Sequence, residues 1–263
     1  MQEKEILDKA IELIKRAGSF IMGEFTRVGQ SDIEHKGFND LVSYVDKGAE
    51  DILIKGLAEI LPGSGFLAEE GTVADEKKEF TWIIDPLDGT TNFLHGLPVF
   101  GVSVALVRNN KLILGVVHEL NRNEIFSAIK DQGAFCNGKR IYVSDKVNLS
   151  EGLFATGFPY YDFNRMPQYL AILNEFMQKS HGLRRMGSAA VDLAYVACGR
   201  FEGFFEYNLN AWDVAAGALI VEEAGGKLSD FKGGDDFIFG REILAAPKAI
   251  HNQMLEVIKQ RWL

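Results

Sequence analysis

The densest chemistry in the chain lies in Trp82-Ile83-Ile84-Asp85-Pro86-Leu87-Asp88-Gly89-Thr90-Thr91-Asn92-Phe93. A buried apolar strand there delivers two carboxylates, Asp85 and Asp88, at its C-terminal end. Pro86 fixes the backbone between them, which helps keep both acids pointed one way. The following Gly89-Thr90-Thr91 suits the opening of a helix, whose free N–H groups can receive phosphate oxygens. Hard oxygen ligands beside such a helix end point to Mg²⁺ shared between carboxylates and a substrate phosphate. Spacing alone leaves a second reading equally open, with Asp88 as an N-cap and Asp85 as an ordinary strand-end acid.

Further acids bear on that choice. Glu69-Glu70 ends another apolar strand, where parallel strand ends would gather, although alone the pair reads as a solvated loop. Asp213 follows Trp212 at the start of a helical pattern, where an acid complements the helix dipole. That helix is otherwise apolar for two turns, which puts its carboxylate near buried surroundings.

The elements that must position these residues follow from hydrophobic period. Ile6, Ala10, Ile11, Ile14, Ala17, Ile21 and Phe25 form one helical stripe, and a second helix is expected over 46–61, stopping at Pro62-Gly63. Residues 29–39 read as a loop or short hairpin. Strands are expected at 65–68, 81–84, 99–107, 112–119, 124–129 and 134–135, joined by short turn-forming linkers as an antiparallel meander. The polar stretch 137–150 is the candidate boundary. Beyond it, strands at 153–156, 203–207 and 243–246 alternate with helices at 166–180, 187–198, 212–224 and 249–261. This gives an α+β half over 1–150, holding most of the acids, and an α/β half over 151–263 supplying Asp213, fused as one compact unit with helix–sheet–helix layering.

Composition sets the class. Hydrophobic residues make up 47% and charged residues 25%, which excludes a disordered or fibrous chain. A net charge of −9 disfavours phosphate backbones and anionic lipid as bulk partners, so neither nucleic acid nor membrane is expected. It leaves room for a small anionic substrate, because a metal ion reverses the sign locally. Cys136 and Cys198 are too few for a disulfide framework and read as reduced, buried thiols. No leader pattern opens the chain, and no apolar run reaches the about 20 residues of a spanning helix; a soluble, cytoplasmic protein is expected.

The segment Asp85–Phe93, with Glu69 before it and Asn210–Gly217 after it, resembles the inositol monophosphatase family. Gly187-Ser188-Ala189-Ala190 and Glu222-Glu223-Ala224-Gly225-Gly226 extend the resemblance over nearly the whole chain. It implies a layered α-β-α-β-α sandwich of the sugar-phosphatase type, a homodimer, sensitivity to lithium and two to three Mg²⁺ ions. Glu69, Asp85 and the Leu87 carbonyl match ligands of a first ion. Asp85 bridges to a second, completed by Asp88 and Asp213, and Glu69 shares in a third. Thr90 and Asp46 match the pair that orients and deprotonates the attacking water, with Glu69 counted in the catalytic group. The amides of Gly89 and Thr90 match the phosphate site, and Lys36, before Gly37-Phe38-Asn39-Asp40-Leu41-Val42, matches a lysine at its mouth.

Glu206 matches a residue that hydrogen-bonds sugar or cyclitol hydroxyls, with backbone contacts from Ala189 and further contacts from Asp88 and Asp213. Arg184-Arg185 reads equally as part of that wall or as solvated charge. The chain departs from many relatives in having Ala68 where they have Gly, a methyl that a strand tolerates. The rim Thr156-Gly157-Phe158-Pro159-Tyr160-Tyr161 varies across the family. The implied activity is hydrolysis of myo-inositol 1-phosphate or a related polyol phosphate. Fructose 1,6-bisphosphate, 3′-phosphoadenosine 5′-phosphate and a non-catalytic regulatory role are the competing readings.

Overall fold

The computed structural model describes residues 3–25, 27, 33–35, 41–72, 78–159 and 162–262, with backbone alone at 33–35 and 41–42. The first helix, α1 (Glu3–Glu24), buries Ile6, Ala10, Ile14, Ala17 and Ile21, as its stripe predicts. A short antiparallel ribbon of β1 (Ile33–His35) and β2 (Leu41–Ser43) follows, the hairpin alternative for this stretch. Next comes α2 (Tyr44–Ile60), which begins at a capping box two residues earlier than the sequence pattern placed it.

A seven-stranded sheet comprises β3 (Gly65–Ala68), β4 (Phe80–Asp88), β5 (Gly101–Arg108), β6 (Lys111–Glu119), β7 (Glu124–Ile129), β8 (Gly133–Cys136) and β9 (Lys139–Arg140), in that order. β3 runs parallel to β4, and each later neighbour is antiparallel. A one-turn helix, α3 (Thr90–Leu94), interrupts the meander after β4. The second sheet holds β10 (Leu153–Thr156), β11 (Gly182–Arg184), β12 (Gly203–Tyr207), β13 (Gly226–Ser229) and β14 (Glu242–Pro247), in the order β11-β10-β12-β14-β13. It is mixed, with β10 parallel to β11 and β12, and β14 antiparallel to β12 and β13. β9, β11 and β13 carry no hydrophobic alternation and were invisible to it. Each lies at a sheet edge, where pairing to one neighbour supplies the order that side-chain pattern does not.

The remaining helices are α4 (Met166–Lys179), α5 (Ala189–Ala197), α6 (Ala211–Glu223) and α7 (Lys248–Trp262). Three apolar clusters stack the elements into five layers. Trp82, Ile84, Val104 and Val116 face α1 and α2, while their strand neighbours Ile83, Ala105 and Val117 face α5 and α6. In the second sheet Phe204 and Ala245 face α5 and α6, while Phe205 and Leu244 face α4 and α7. The period-two alternation of both sheets thus sorts one sequence into an α-β-α-β-α sandwich.

Cys136 and Cys198 are unbridged, as expected, but half-buried rather than buried. Among the described residues, no helix is long and apolar enough to cross a membrane.

Candidate active site

A cleft of about 400 Å³ opens where the ends of β3 and β4 meet those of β10 and β12 and the starts of α3, α5 and α6. Glu69, Asp85, Leu87, Asp88, Gly89, Thr90, Ala189, Glu206 and Asp213, all expected from sequence, line it. Lys36, Tyr160 and Tyr161 lie outside the described residues.

The geometry begins with Pro86. It has no N–H for the ladder, so β4 leaves register with β5 between Asp85 and Asp88. In a regular strand residues three apart point to opposite faces; the irregularity re-aims one of them, and both acids reach the same cleft. Asp85 Oδ1 accepts from the Leu87 amide at 3.0 Å. Asp88 is not an N-cap: Gly89 takes that position with φ 97°, a left-handed backbone. Asp88 instead crosses to α5, where its Oδ2 accepts from Ser188 Oγ at 2.7 Å and the Ala190 amide at 2.6 Å.

Two capping boxes place two more acids. In α2, Asp46 Oδ2 accepts from the Ser43 amide at 2.8 Å and from Ser43 Oγ at 2.7 Å. In α6, Asp213 Oδ2 accepts from the Asn210 amide at 2.6 Å. For Asp213 the structural role and the position in the cleft coincide. Asp46 Oδ1 remains for Thr90, whose Oγ1 donates to it at 2.9 Å; the Leu87 carbonyl, at 3.0 Å, competes for the same proton. The Gly89 and Thr90 amides precede the first intrahelical bond of α3, from the Phe93 amide to the Gly89 carbonyl at 3.0 Å. With only five residues α3 has little macrodipole, so its use to an anion lies in its N–H groups.

Charge crowds this space. Burial raises the Asp85 carboxyl well above its ordinary value, and Glu69, Asp88 and Asp213 add repulsion. Asp88 is pushed up to about 6, chiefly by burial, against the pull of Ser188, Ala190 and Arg185. Asp213 rises to about 7 through burial and the Asp88 charge. Burial also raises Asp46, opposed by its bonds to Ser43 and Thr90. Among the described residues no group of three His, Cys, Asp or Glu side chains is arranged to hold a metal ion as it stands. The donor set nonetheless fits one: four carboxylates and the Leu87 carbonyl are all hard oxygens, and a divalent cation offsets the repulsion that raises them.

The opposite wall carries Glu206, 7% exposed at the end of β12. Gly157, just after β10, leaves room for it: a Cβ there would lie 2.1 Å from the Glu206 carboxylate, which would have to move aside. Arg185 lines the cleft while Arg184 points to the Leu183 carbonyl at the sheet edge, which separates two residues that sequence could not.

Three acids or hydroxyls escaped the sequence reading. Ser188 anchors Asp88. Glu50, buried in α2, holds the strand-end segment after Glu69 by accepting from the Glu70 amide at 2.8 Å and the Thr72 amide at 2.9 Å. Asp192 lines the cleft from α5. The available signal was an acid inside Ala-Ala-Val-Asp-Leu-Ala-Tyr-Val-Ala, a helix with no polar face to receive it.

A family model described as the inositol monophosphatase family matches residues 2–263. The chain is 44% identical over 253 residues to a Neisseria meningitidis serogroup B protein named putative Nus factor SuhB, covering 96% of this chain and 97% of that one. It is 39% identical over 261 residues to an inositol-1-monophosphatase of Mesorhizobium japonicum, covering 99% and 98%. Among solved structures, the Thermotoga maritima IMPase matches with a TM-score of 0.87 at 36% identity, over 97% of this chain and 96% of that one. The extragenic suppressor protein suhB of Bartonella henselae matches with a TM-score of 0.92 at 39% identity, over 97% and 98%.

Proposed function

The chain belongs to the inositol monophosphatase family, and from that premise we propose that it is a Mg²⁺-dependent phosphomonoesterase acting on myo-inositol 1-phosphate or a related polyol phosphate. The observation that carries this reading is the Thr90–Asp46 pair, 2.9 Å apart, beside a cleft lined by Glu69, Asp85, Asp88 and Asp213.

In this reading Glu69, Asp85 and the Leu87 carbonyl would hold one ion, Asp85, Asp88 and Asp213 would serve a second, and Glu69 would share in a third. When bound, the ions lower the pKa of the attacking water and stabilise the leaving alkoxide. Thr90 gives its own proton to Asp46 Oδ1, which turns a lone pair of Oγ1 toward the cleft to accept from that water. As the water's proton moves to Oγ1, the proton that Thr90 was sharing in its hydrogen bond moves across to Asp46, so one proton in all is transferred, to a carboxylate whose burial makes it a stronger base than an exposed one. The Gly89 and Thr90 amides hold the phosphate, and the family resemblance adds Lys36 as a further phosphate contact. Glu206 and the Ala189 backbone read the leaving group's hydroxyls, with Asp88 and Asp213 contributing. The division of labour follows the two halves meeting near residue 150: the first supplies the charge, the second the leaving-group wall and Asp213. A homodimer, a cytoplasmic location and lithium sensitivity complete the proposal.

Phosphate release by the purified protein tests it, comparing myo-inositol 1-phosphate, fructose 1,6-bisphosphate and 3′-phosphoadenosine 5′-phosphate with Mg²⁺ and with EDTA. The expected result is release favouring inositol phosphate and abolished by EDTA. Preference for another substrate would overturn the leaving-group assignment alone. Release from none would bring forward the second reading, a regulatory protein, which the Nus factor name of a 44% identical relative favours.

A further inference from the structure

Asp192 takes no part in the chemistry above. It lies on α5 four residues after Ser188, so both side chains leave the same helix face, the one turned to Asp88. It lines the cleft and is 1% exposed, and its Oδ1 is buried with no hydrogen-bond partner among the described residues. Native interiors seldom leave a carboxylate oxygen in that state. Neither its helix nor its charged neighbours relieve it. The rest of α5 is apolar, Glu206 and Asp88 repel it, and Arg185 is the cation that attracts it. Arg185 also attracts Asp88 and Glu206, so one guanidinium balances acids from three separate elements.

We propose that Asp192 is a specificity residue, paired with Glu206 to read two hydroxyls of the leaving group, with Asp192 Oδ1 accepting from the hydroxyl that Glu206 does not take. The inference rests on the phosphomonoesterase reading and deepens it. Glu206 approaches from β12 and Asp192 from α5, so the pair grips a polyol from two sides. A substrate without the hydroxyl leaves a buried acceptor unpaired, which is the strongest form of discrimination a site of this kind has. A leaving group that is merely apolar gains nothing from Asp192.

The test compares Asp192→Ala and Asp192→Asn with the wild-type protein on myo-inositol 1-phosphate, on glycerol 2-phosphate and on phenyl phosphate, whose leaving group has no hydroxyl beyond the ester oxygen. Asp192→Ala is expected to lower kcat/KM for inositol phosphate by about 10- to 100-fold more than for phenyl phosphate, mostly through KM. Asn, which keeps an acceptor oxygen, is expected to recover part of the loss. The melting temperature of Asp192→Ala should equal or exceed the wild type, because no hydrogen bond within the protein is lost. Equal losses on hydroxylated and phenyl substrates, or no loss on either, would overturn the proposal. If the wild-type protein hydrolyses none of the three, the proposed function fails instead. Calorimetric affinity for inositol 1-phosphate then decides about Asp192: weakening by the Ala variant supports it, and an unchanged value overturns it.

Discussion

The two walls of the cleft hold their acids in opposite ways. On the charge-bearing wall Asp85, Asp88 and Asp213, and behind them Asp46, which reaches the cleft through Thr90, each have an oxygen fixed by a backbone amide at 2.6–3.0 Å. Those bonds are made by a strand irregularity, a helix start and two capping boxes, so each carboxylate is aimed by an element that would form anyway. On the leaving-group wall Asp192 has a buried oxygen that no group among the described residues satisfies, and a shared Arg185 is the attraction acting on Asp192 and Glu206. The first wall is finished by folding and needs only charge; the second is finished by what binds it. Fixed dipoles suit a reaction centre, where nothing should reorganise as charge develops. An unfinished acceptor suits selection, where the wrong ligand must be penalised.

The strongest way to break that contrast is Asp88→Asn. The change is nearly isosteric and leaves an oxygen for Ser188 or Ala190, so the fold should survive with little change in melting temperature. Turnover should nevertheless fall beyond the about 10- to 100-fold that losing an outer partner of a metal ligand costs. Phosphate release and a thermal melt on the same sample check both halves; full turnover would show that the charge-bearing wall has been misassigned. Thr90→Ala comes next. Removing the relay hydroxyl should lower kcat by about 10²- to 10⁴-fold, the range of general acid–base contributions, with KM little moved. A KM effect without a kcat effect would place Thr90 in binding alone.

Glu206→Gln sharpens the contrast from the other side. It should raise KM for inositol phosphate by about tenfold, with a smaller change in kcat, because the lost interaction is a hydrogen bond to a charged acceptor. Separate kcat and KM determinations check it, and a pure kcat loss would move Glu206 to the reaction centre.

The same division explains what was legible in the sequence. Asp85, Asp88, Glu69 and Asp213 stand where an apolar run ends or a helix opens, so local period made them candidates, and the family resemblance, not the period, chose their roles. Period two gave the helix–sheet–helix layering, because alternating strands must be covered on both faces, but the full five-layer order came from the family resemblance. Ser188 could not be read this way, because its meaning comes from Asp88, a contact 100 positions away in the chain, whereas Asp192 left a local signal, an acid in a helix without a polar face, that went unused. Pro86 was read as fixing the backbone, but its larger effect, throwing β4 out of register, needs the β5 partner to exist. Asp213 shows the limit from the other direction: a structural role at the helix start and a place at the cleft read as alternatives in the sequence, and the structure has both at once.

The smallest effect is thermal and separates the walls without any mutation at the reaction centre. Asp88 and Asp213 have folded values of about 6 and about 7 against an ordinary 3.8. An acid raised on folding binds more protons in the folded state, so its stabilisation is full below pH 3.8 and is lost as pH rises through 6 and 7. Metal-free protein should therefore lose melting temperature between pH 5 and 7. Mg²⁺ at 100 times its dissociation constant adds about 2.7 kcal/mol, several degrees for a chain of this size. Because the ion competes with those same protons, its stabilisation should grow with pH across the window. His251, pushed down to about 4 by burial, contributes the opposite slope. It lies in α7, away from the cleft-lining residues, and cancels when melts with and without Mg²⁺ are subtracted. Asp192 and Glu206 are also raised by burial. If the ion sits on the charge-bearing wall alone, Asp192→Ala should leave the pH dependence of the Mg²⁺ increment nearly unchanged. A flattened increment in that variant would mean that the two walls share the metal's charge, and the division between them would have to be redrawn.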